Sequence, residues 1–191
     1  MSICAARERA RGFTLVELLV AATLSGLVLA GVAATALQIM RSGVRVNQYA
    51  EMSTQVRRGL GQLEGDLRSA SAITWNNASD ITLTVPTSGG ATRQVTYAWT
   101  GAAQAFYLVP GTSSAATAGR VILIRDLPAR PNGSAGLVFS RYDLAGNAAT
   151  TDAATKSLQV TVYAVRSARG MASTTDTAVS AIFVLRNKPV S

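Results

Sequence analysis

The stretch from Phe13 to Met40 constrains this chain more than any other. Its 28 residues carry a single charge, Glu17. About 20 apolar residues suffice to cross a bilayer as a helix, and at about 1.5 Å rise per residue this stretch would reach roughly 42 Å. A secretory signal peptide would have an apolar region of only about 7–15 residues closed by a small-residue cleavage site. No Ala-x-Ala site closes this one before the chain turns polar. Two readings remain: a plain signal anchor, or an anchor processed ahead of its apolar run. Flanking charge separates them little, because Arg7, Arg9 and Arg11 precede the run while Arg41 and Arg45 follow it. The positive-inside rule leans slightly towards a cytoplasmic N-terminus. Glu17 carries more weight. An acid in a membrane helix costs up to about 3 kcal/mol and calls for a partner, unless it sits near enough to the interface to stay hydrated. A plain anchor offers no reason to keep it.

Composition removes several function classes. The chain has no histidine, and its one cysteine, Cys4, precedes the apolar run. A Ser-His-Asp triad, a Cys-His pair and a Cys/His zinc site therefore cannot be built. The later acids, Glu64, Asp66, Asp80, Asp126, Asp143, Asp152 and Asp176, show no paired spacing, which argues against an enzyme. No Gly-x-x-x-x-Gly-Lys-[Ser/Thr] phosphate loop occurs. No cofactor is expected. The net charge of +8 permits anionic partners, but the arginines are scattered and only Arg57-Arg58 are adjacent. That scatter argues against nucleic acid as a partner.

Beyond Met40 a helical rhythm continues. Tyr49, Met52, Val56, Leu60, Leu63 and Leu67 recur at three- and four-residue steps, predicting one apolar stripe on an amphipathic helix. Gly59, Gly61 and Gly65 weaken that helix and point to close packing on a sheet or to a bend. The expected helix runs from about Phe13 to Ala72, with a candidate break at Ser42-Gly43. From Ile73 the period changes to two. Ile81, Leu83 and Val85 alternate in one strand and Val95, Tyr97 and Trp99 in the next. Further strands are expected at Ala105–Val109, Arg120–Arg125, Leu137–Tyr142, Leu158–Arg166 and Val179–Arg186, about seven in all. The predicted fold class is α+β: a long N-terminal helix, half membrane-type and half amphipathic, packed on a mostly antiparallel β-sheet domain.

The residues of the first segment carry a resemblance. Arg11 to Ala21, RGFTLVELLVA, resembles the prepilin motif of type IV pilins and type II secretion pseudopilins at Gly12, Phe13, Thr14, Leu15, Glu17 and Leu18. The resemblance implies cleavage after Gly12 by a prepilin peptidase and N-methylation of the new N-terminal Phe13. It also implies that Glu17 sets register in assembly by pairing with the terminal amine of a neighbouring subunit. It divides the chain into a basic leader (1–12), a transmembrane or filament-core helix (13–40), an amphipathic helix half (41–73) and a globular β domain (74–191). The implied partners are the peptidase, other pilin or pseudopilin subunits, an inner-membrane assembly platform and membrane lipid. The implied location is the bacterial inner membrane, single-pass, with the β domain outside the cytoplasm, and then a filament. Gln55–Ser71 followed by ITLTV, and the closing VSAIFVLRNKP, are similar to J-type minor pseudopilins and PilW-like minor pilins. The anchor lacks the proline of many major pilins, and no disulfide can close a C-terminal loop. Both departures fit a minor subunit. A membrane-anchored extracytoplasmic module that captures secreted substrate, a surface or DNA is the alternative.

One loop offers oxygen ligands. Asp143, Asn147 and Asp152 lie close in sequence and are of the type calcium takes. Their spacing departs from the Asp-x-[Asp/Asn]-x-[Asp/Asn]-Gly pattern, so a solvated turn competes with a cation loop.

Overall fold

The computed structural model describes residues 13–130, 132–167 and 174–189. The expected leader and its cleavage residue Gly12 lie outside the described residues. The chain divides into two compact units, one ending at Val44 and one spanning Arg45–Ser191.

A single helix, α1, covers Leu15–Ser69, and Ser42 and Gly43 are helical within it. In the first unit, every described residue from Phe13 to Val44 is exposed. The helix is long and apolar enough to cross a membrane. Its few hydroxyls suit that setting. Thr23 Oγ1 donates to Val20 O (2.9 Å) and Thr35 Oγ1 to Gly31 O (2.9 Å), so neither needs water.

In the second unit the stripe meets its partners. Met52, Val56, Leu60, Leu63 and Leu67 are buried, the last two completely. Burying one such leucine contributes about 1.5–3 kcal/mol. Tyr49, expected in the stripe, is instead 51% exposed. The buried face begins one turn later, at Met52. The helix stops at Ser69, short of the expected Ala72. Ser71 is already tied to the sheet there, its backbone N–H donating to Thr84 O (2.9 Å).

Among the described residues eight strands follow: β1 (Ala72–Asn77), β2 (Asp80–Pro86), β3 (Thr92–Thr100), β4 (Ala105–Pro110), β5 (Val121–Ile124), β6 (Leu137–Tyr142), β7 (Ser157–Ser167) and β8 (Thr174–Val184). They form two sheets, ordered β1-β2-β3-β4-β5 and β6-β7-β8. Every pairing is antiparallel. The α+β architecture is thus as expected, with two sheets where one was read. β1 went unread because only Ile73 and Trp75 alternate before Asn76-Asn77. β8 starts five residues earlier than expected, since Thr174 to Ala178 offer no apolar alternation.

The two sheets and the helix share one core. Ile81, Leu83, Val85, Val95 and Tyr97 come from the first sheet, and Leu137, Phe139, Leu158, Val160 and Val162 from the second. Phe106 joins them, stacked on Tyr97 (centroids 5.9 Å apart) and edge-on to Phe139 (6.2 Å). The outer face of the first sheet is sealed where residues 111–120 cross it. Thr82 and Thr96 pair through their hydroxyls (2.9 Å), and Thr96 donates to Gly111 O (2.7 Å). Arg120 lies 4.4 Å from the Tyr107 ring centre and donates to Ser114 O and Ala116 O, holding that segment in place.

The three helix glycines play different parts. A Cβ on Gly59 would sit 2.6 Å from Ile124 Cγ1 and 3.4 Å from Leu123 Cβ, whereas Gly61 and Gly65 face open space. Ile124 is itself fully packed at 1% exposure and cannot swing away. Gly59→Ala should therefore destabilise the chain by about 1–3 kcal/mol through overpacking. Gly61→Ala should stabilise it by up to about 1 kcal/mol through helix propensity alone. Urea unfolding midpoints of the two variants, moving in opposite directions, check this.

Candidate functional site

The first candidate site is the start of α1. Thr14 stands in the N-cap position. Its carbonyl accepts from Leu18 N–H (3.2 Å), and its Oγ1 accepts from Glu17 N–H (3.3 Å). That arrangement follows from the sequence, since Thr-x-x-Glu ahead of an apolar run is the signature of a capping box. Glu17 occupies the third helical position, in the first turn, where the helix dipole favours an acid. Here is a local reason for Glu17 that the sequence reading missed, although the Thr14-x-x-Glu17 spacing carried the signal. Phe13 precedes the cap and is 80% exposed. Phe13, Leu15, Leu18, Leu19 and Ala22 line an apolar groove on the helix surface. Phe13 and Leu18 hold the positions of a hydrophobic staple, before the cap and at the fourth helical residue.

Phe13 is exposed and outside regular secondary structure, which begins at Leu15. Glu17 is the nearest acid to Phe13 in the described sequence.

Three clusters of ionisable side chains stand out among the described residues of the second unit. In the first, Asp66 on α1 is buried. Its Oδ1 accepts from Arg93 Nη2 (2.7 Å) and its Oδ2 from Tyr97 OH (2.7 Å), both on β3. In the second, Asp152 Oδ1 pairs with Arg141 Nη1 (2.6 Å), and Oδ2 accepts the Trp75 backbone N–H (3.2 Å). Arg141 also lies 4.8 Å from the Trp75 ring centre. In the third, Lys156 Nζ donates to Lys188 O (2.7 Å), and Lys188 Nζ donates to Ala153 O. Burial, then the charge of Lys156, holds the Lys188 ammonium below its usual range, with Asp152 opposing. This third cluster ties the segment after β8 to the 151–156 loop by hydrogen bonds, in a chain with no second cysteine for a disulfide. All three clusters bond α1, sheets and loops to one another.

The calcium candidates are distributed as follows. Asp143 and Asn147 close one turn: Asn147 N–H donates to Asp143 Oδ1 (2.8 Å) and Asp143 N–H to Asn147 O (2.9 Å). Asp152 is engaged elsewhere, with both carboxylate oxygens committed to Arg141 and Trp75. Among the described residues no group of three or more Asp, Glu, Cys or His gathers into a metal site.

The buried phenol of Tyr97 makes a pH prediction. Burial first, then the hydrogen bond to Asp66 and that residue's charge, push the phenol well above its usual 10.0. The folded form therefore keeps the proton after the unfolded form has lost it. Stability is undiminished below pH 10.0 and falls as pH rises past it, by up to about 1.4 kcal/mol per pH unit. Tyr107 is shifted the same way by burial and adds to the effect. Urea unfolding between about pH 9 and about pH 11.5 should show the decline, and Tyr97→Phe should flatten it.

Comparison with known proteins singles out the same N-terminal segment. Residues 7–33 match the family model described as the prokaryotic N-terminal methylation motif. The chain thus carries a prepilin-type motif, and the match ends well inside α1. No curated protein matches the chain at a significant level.

Proposed function

We propose that this chain is a minor pilin or pseudopilin: a structural subunit of a type II secretion pseudopilus or a type IV pilus, cut after Gly12 and assembled through its N-terminal helix. The methylation-motif match over residues 7–33 carries this reading. Three features support it. The match runs into an exposed apolar helix, the helix starts two residues beyond Phe13, and an α+β unit follows that suits display outside the membrane.

The mechanism is assembly rather than turnover. Cleavage after Gly12 creates an ammonium at Phe13. In lipid or in a filament core, an ammonium and a carboxylate attract far more strongly than in water. Glu17 of one subunit then rewards a single axial register with the amine of the next, because either charge left unpaired there is costly. The apolar side chains from Leu15 to Met40 exchange lipid contacts for contacts with neighbouring helices.

Co-expression with a prepilin peptidase, followed by intact-mass and N-terminal analysis, tests the reading. The expected product begins at N-methylated Phe13. A chain that still begins at Met1 in the presence of an active peptidase overturns it.

A further inference from the structure

The loop that carries the chain from β5 in one sheet to β6 in the other contains Asn132-Gly133-Ser134. All three residues are exposed. Asn132 Oδ1 accepts the Ser134 backbone N–H (3.1 Å), so the side chain folds back along its own main chain. Gly133 N–H donates to Arg130 O (2.9 Å) and Arg130 N–H to Ser134 O (2.7 Å), which closes the turn. Gly133 stands in open space at a φ of 80°, a conformation that favours glycine.

The turn between β1 and β2 holds a near copy. Asn77 is exposed, and its Oδ1 accepts the Ser79 backbone N–H (2.7 Å). The residue between them is Ala78, where the other turn has Gly133. Of the chain's asparagines only Asn132 precedes a glycine. The two turns make the same side-chain bond and differ in how crowded the following peptide nitrogen is.

We propose that Asn132 is a self-modification site, at which the chain deamidates without an enzyme. The Gly133 nitrogen gives its proton to solvent hydroxide and attacks Asn132 Cγ. A five-membered imide closes as the bond from Cγ to Nδ2 breaks. The leaving nitrogen takes a proton from water and departs as ammonia. Water then adds to either imide carbonyl and breaks its bond to the Gly133 nitrogen. Opening at Cγ gives aspartate, and opening at the main-chain carbonyl gives isoaspartate. The sum is water consumed and ammonia released, with no change of oxidation state.

The turn acts on both sides of this reaction. Ser134 N–H supports the oxygen that gains negative charge when Cγ is attacked, as an oxyanion donor does. The bond from Gly133 N–H to Arg130 O must open before that proton can leave, which slows the step. At Asn77 the attacking nitrogen would carry the Ala78 Cβ beside it, and the turn is fastened in the β1–β2 ladder through Asn77↔Asp80. Either product places a carboxylate at position 132 and lowers the net charge of +8 by one. That carboxylate lies two residues from Arg130, whose Nε is buried and has no hydrogen-bond partner among the described residues. Isoaspartate also lengthens the main chain within the turn.

The test incubates the full uncut chain in detergent, folded and in urea, at mildly alkaline pH and maps its peptides by mass spectrometry. Synthetic aspartyl and isoaspartyl peptides serve as standards. Asn132 should convert to a mixture of both products while Asn77 stays an amide. The rate should rise about tenfold per pH unit, following hydroxide. It should be about three- to tenfold faster in urea, where the hydrogen bond from Gly133 to Arg130 is lost. Gly133→Ala should slow conversion about tenfold. Made in urea, that comparison is free of any effect of the substitution on the turn. An amide at position 132 that persists in the folded chain while the unfolded chain converts shows that the turn blocks attack, and overturns the proposal. So does conversion of Asn77 at the same rate, or a rate that Gly133→Ala leaves unchanged. Cleavage after Gly12 plays no part in any of these results.

Discussion

Glu17→Gln is expected to be cut normally by the peptidase and then to be left out of the filament, as Glu17→Ala is. The two variants separate two roles that coincide at this residue. Glutamine can serve the third position of a capping box as glutamate does. It therefore keeps a side chain able to reach back to the Thr14 N–H while removing the charge, and Thr14 Oγ1 caps the backbone N–H of residue 17 in either variant. Alanine removes both the reach and the charge. Loss of that reach costs no more than an ordinary hydrogen bond, about 0.5–1.5 kcal/mol, local to the first turn. Loss of a charge that would pair with a neighbour's amine in an apolar setting costs about 3 kcal/mol or more, roughly a hundredfold in an assembly equilibrium. Co-purification with sheared filaments, quantified against the cell-bound processed form, reads the difference. If Glu17→Gln assembled at the wild-type level while Glu17→Ala did not, capping alone would account for the residue and the pairing role would be lost.

What was legible in the sequence follows the range of the interactions involved. The helix showed because its periodicity is local, with Met52 to Leu67 repeating every three or four residues on one buried face. β2 and β3 showed because Ile81, Leu83, Val85, Val95 and Tyr97 alternate cleanly. The Thr14-x-x-Glu17 cap was also local and could have been read. The division into two sheets could not: every pairing joins strands adjacent in sequence, and nothing local says that β5 and β6, alone among such neighbours, do not pair. β1 was hidden by its asparagines. Asp66 could be seen to fall three residues after Leu63, on the apolar face of the helix. Its partners Arg93 and Tyr97 lie 27 and 31 residues away and gave no local sign. Asp152 shows the same limit. In sequence it sits with Asp143 and Asn147, but in the fold Arg141 and the Trp75 amide, 77 residues distant, claim its oxygens.

Asp66→Ala carries the largest stability loss expected in the second unit outside the apolar core, about 2–4 kcal/mol, compounded of unequal parts. Arg93 matters least. Its side chain is 47% exposed and regains water when its partner goes, so its ion pair with Asp66 contributes at most about 1 kcal/mol after screening. Tyr97 matters more. It is fully buried, and without Asp66 its hydroxyl retains only a long 3.4 Å contact to Gln62 O. A buried hydroxyl left so poorly paired costs about 1–3 kcal/mol. The cavity left by the carboxylate adds to this. Because the cost sits on the phenol, Tyr97→Phe in the Asp66→Ala background should recover about 1 kcal/mol or more. In the wild-type background the same change should destabilise, since it leaves a buried carboxylate with one donor fewer. That reversal of sign, measured as a double-mutant cycle of urea midpoints on the full chain in detergent, is the signature of a coupled pair. Additive effects would mean that Asp66 joins α1 to β3 through Arg93 alone.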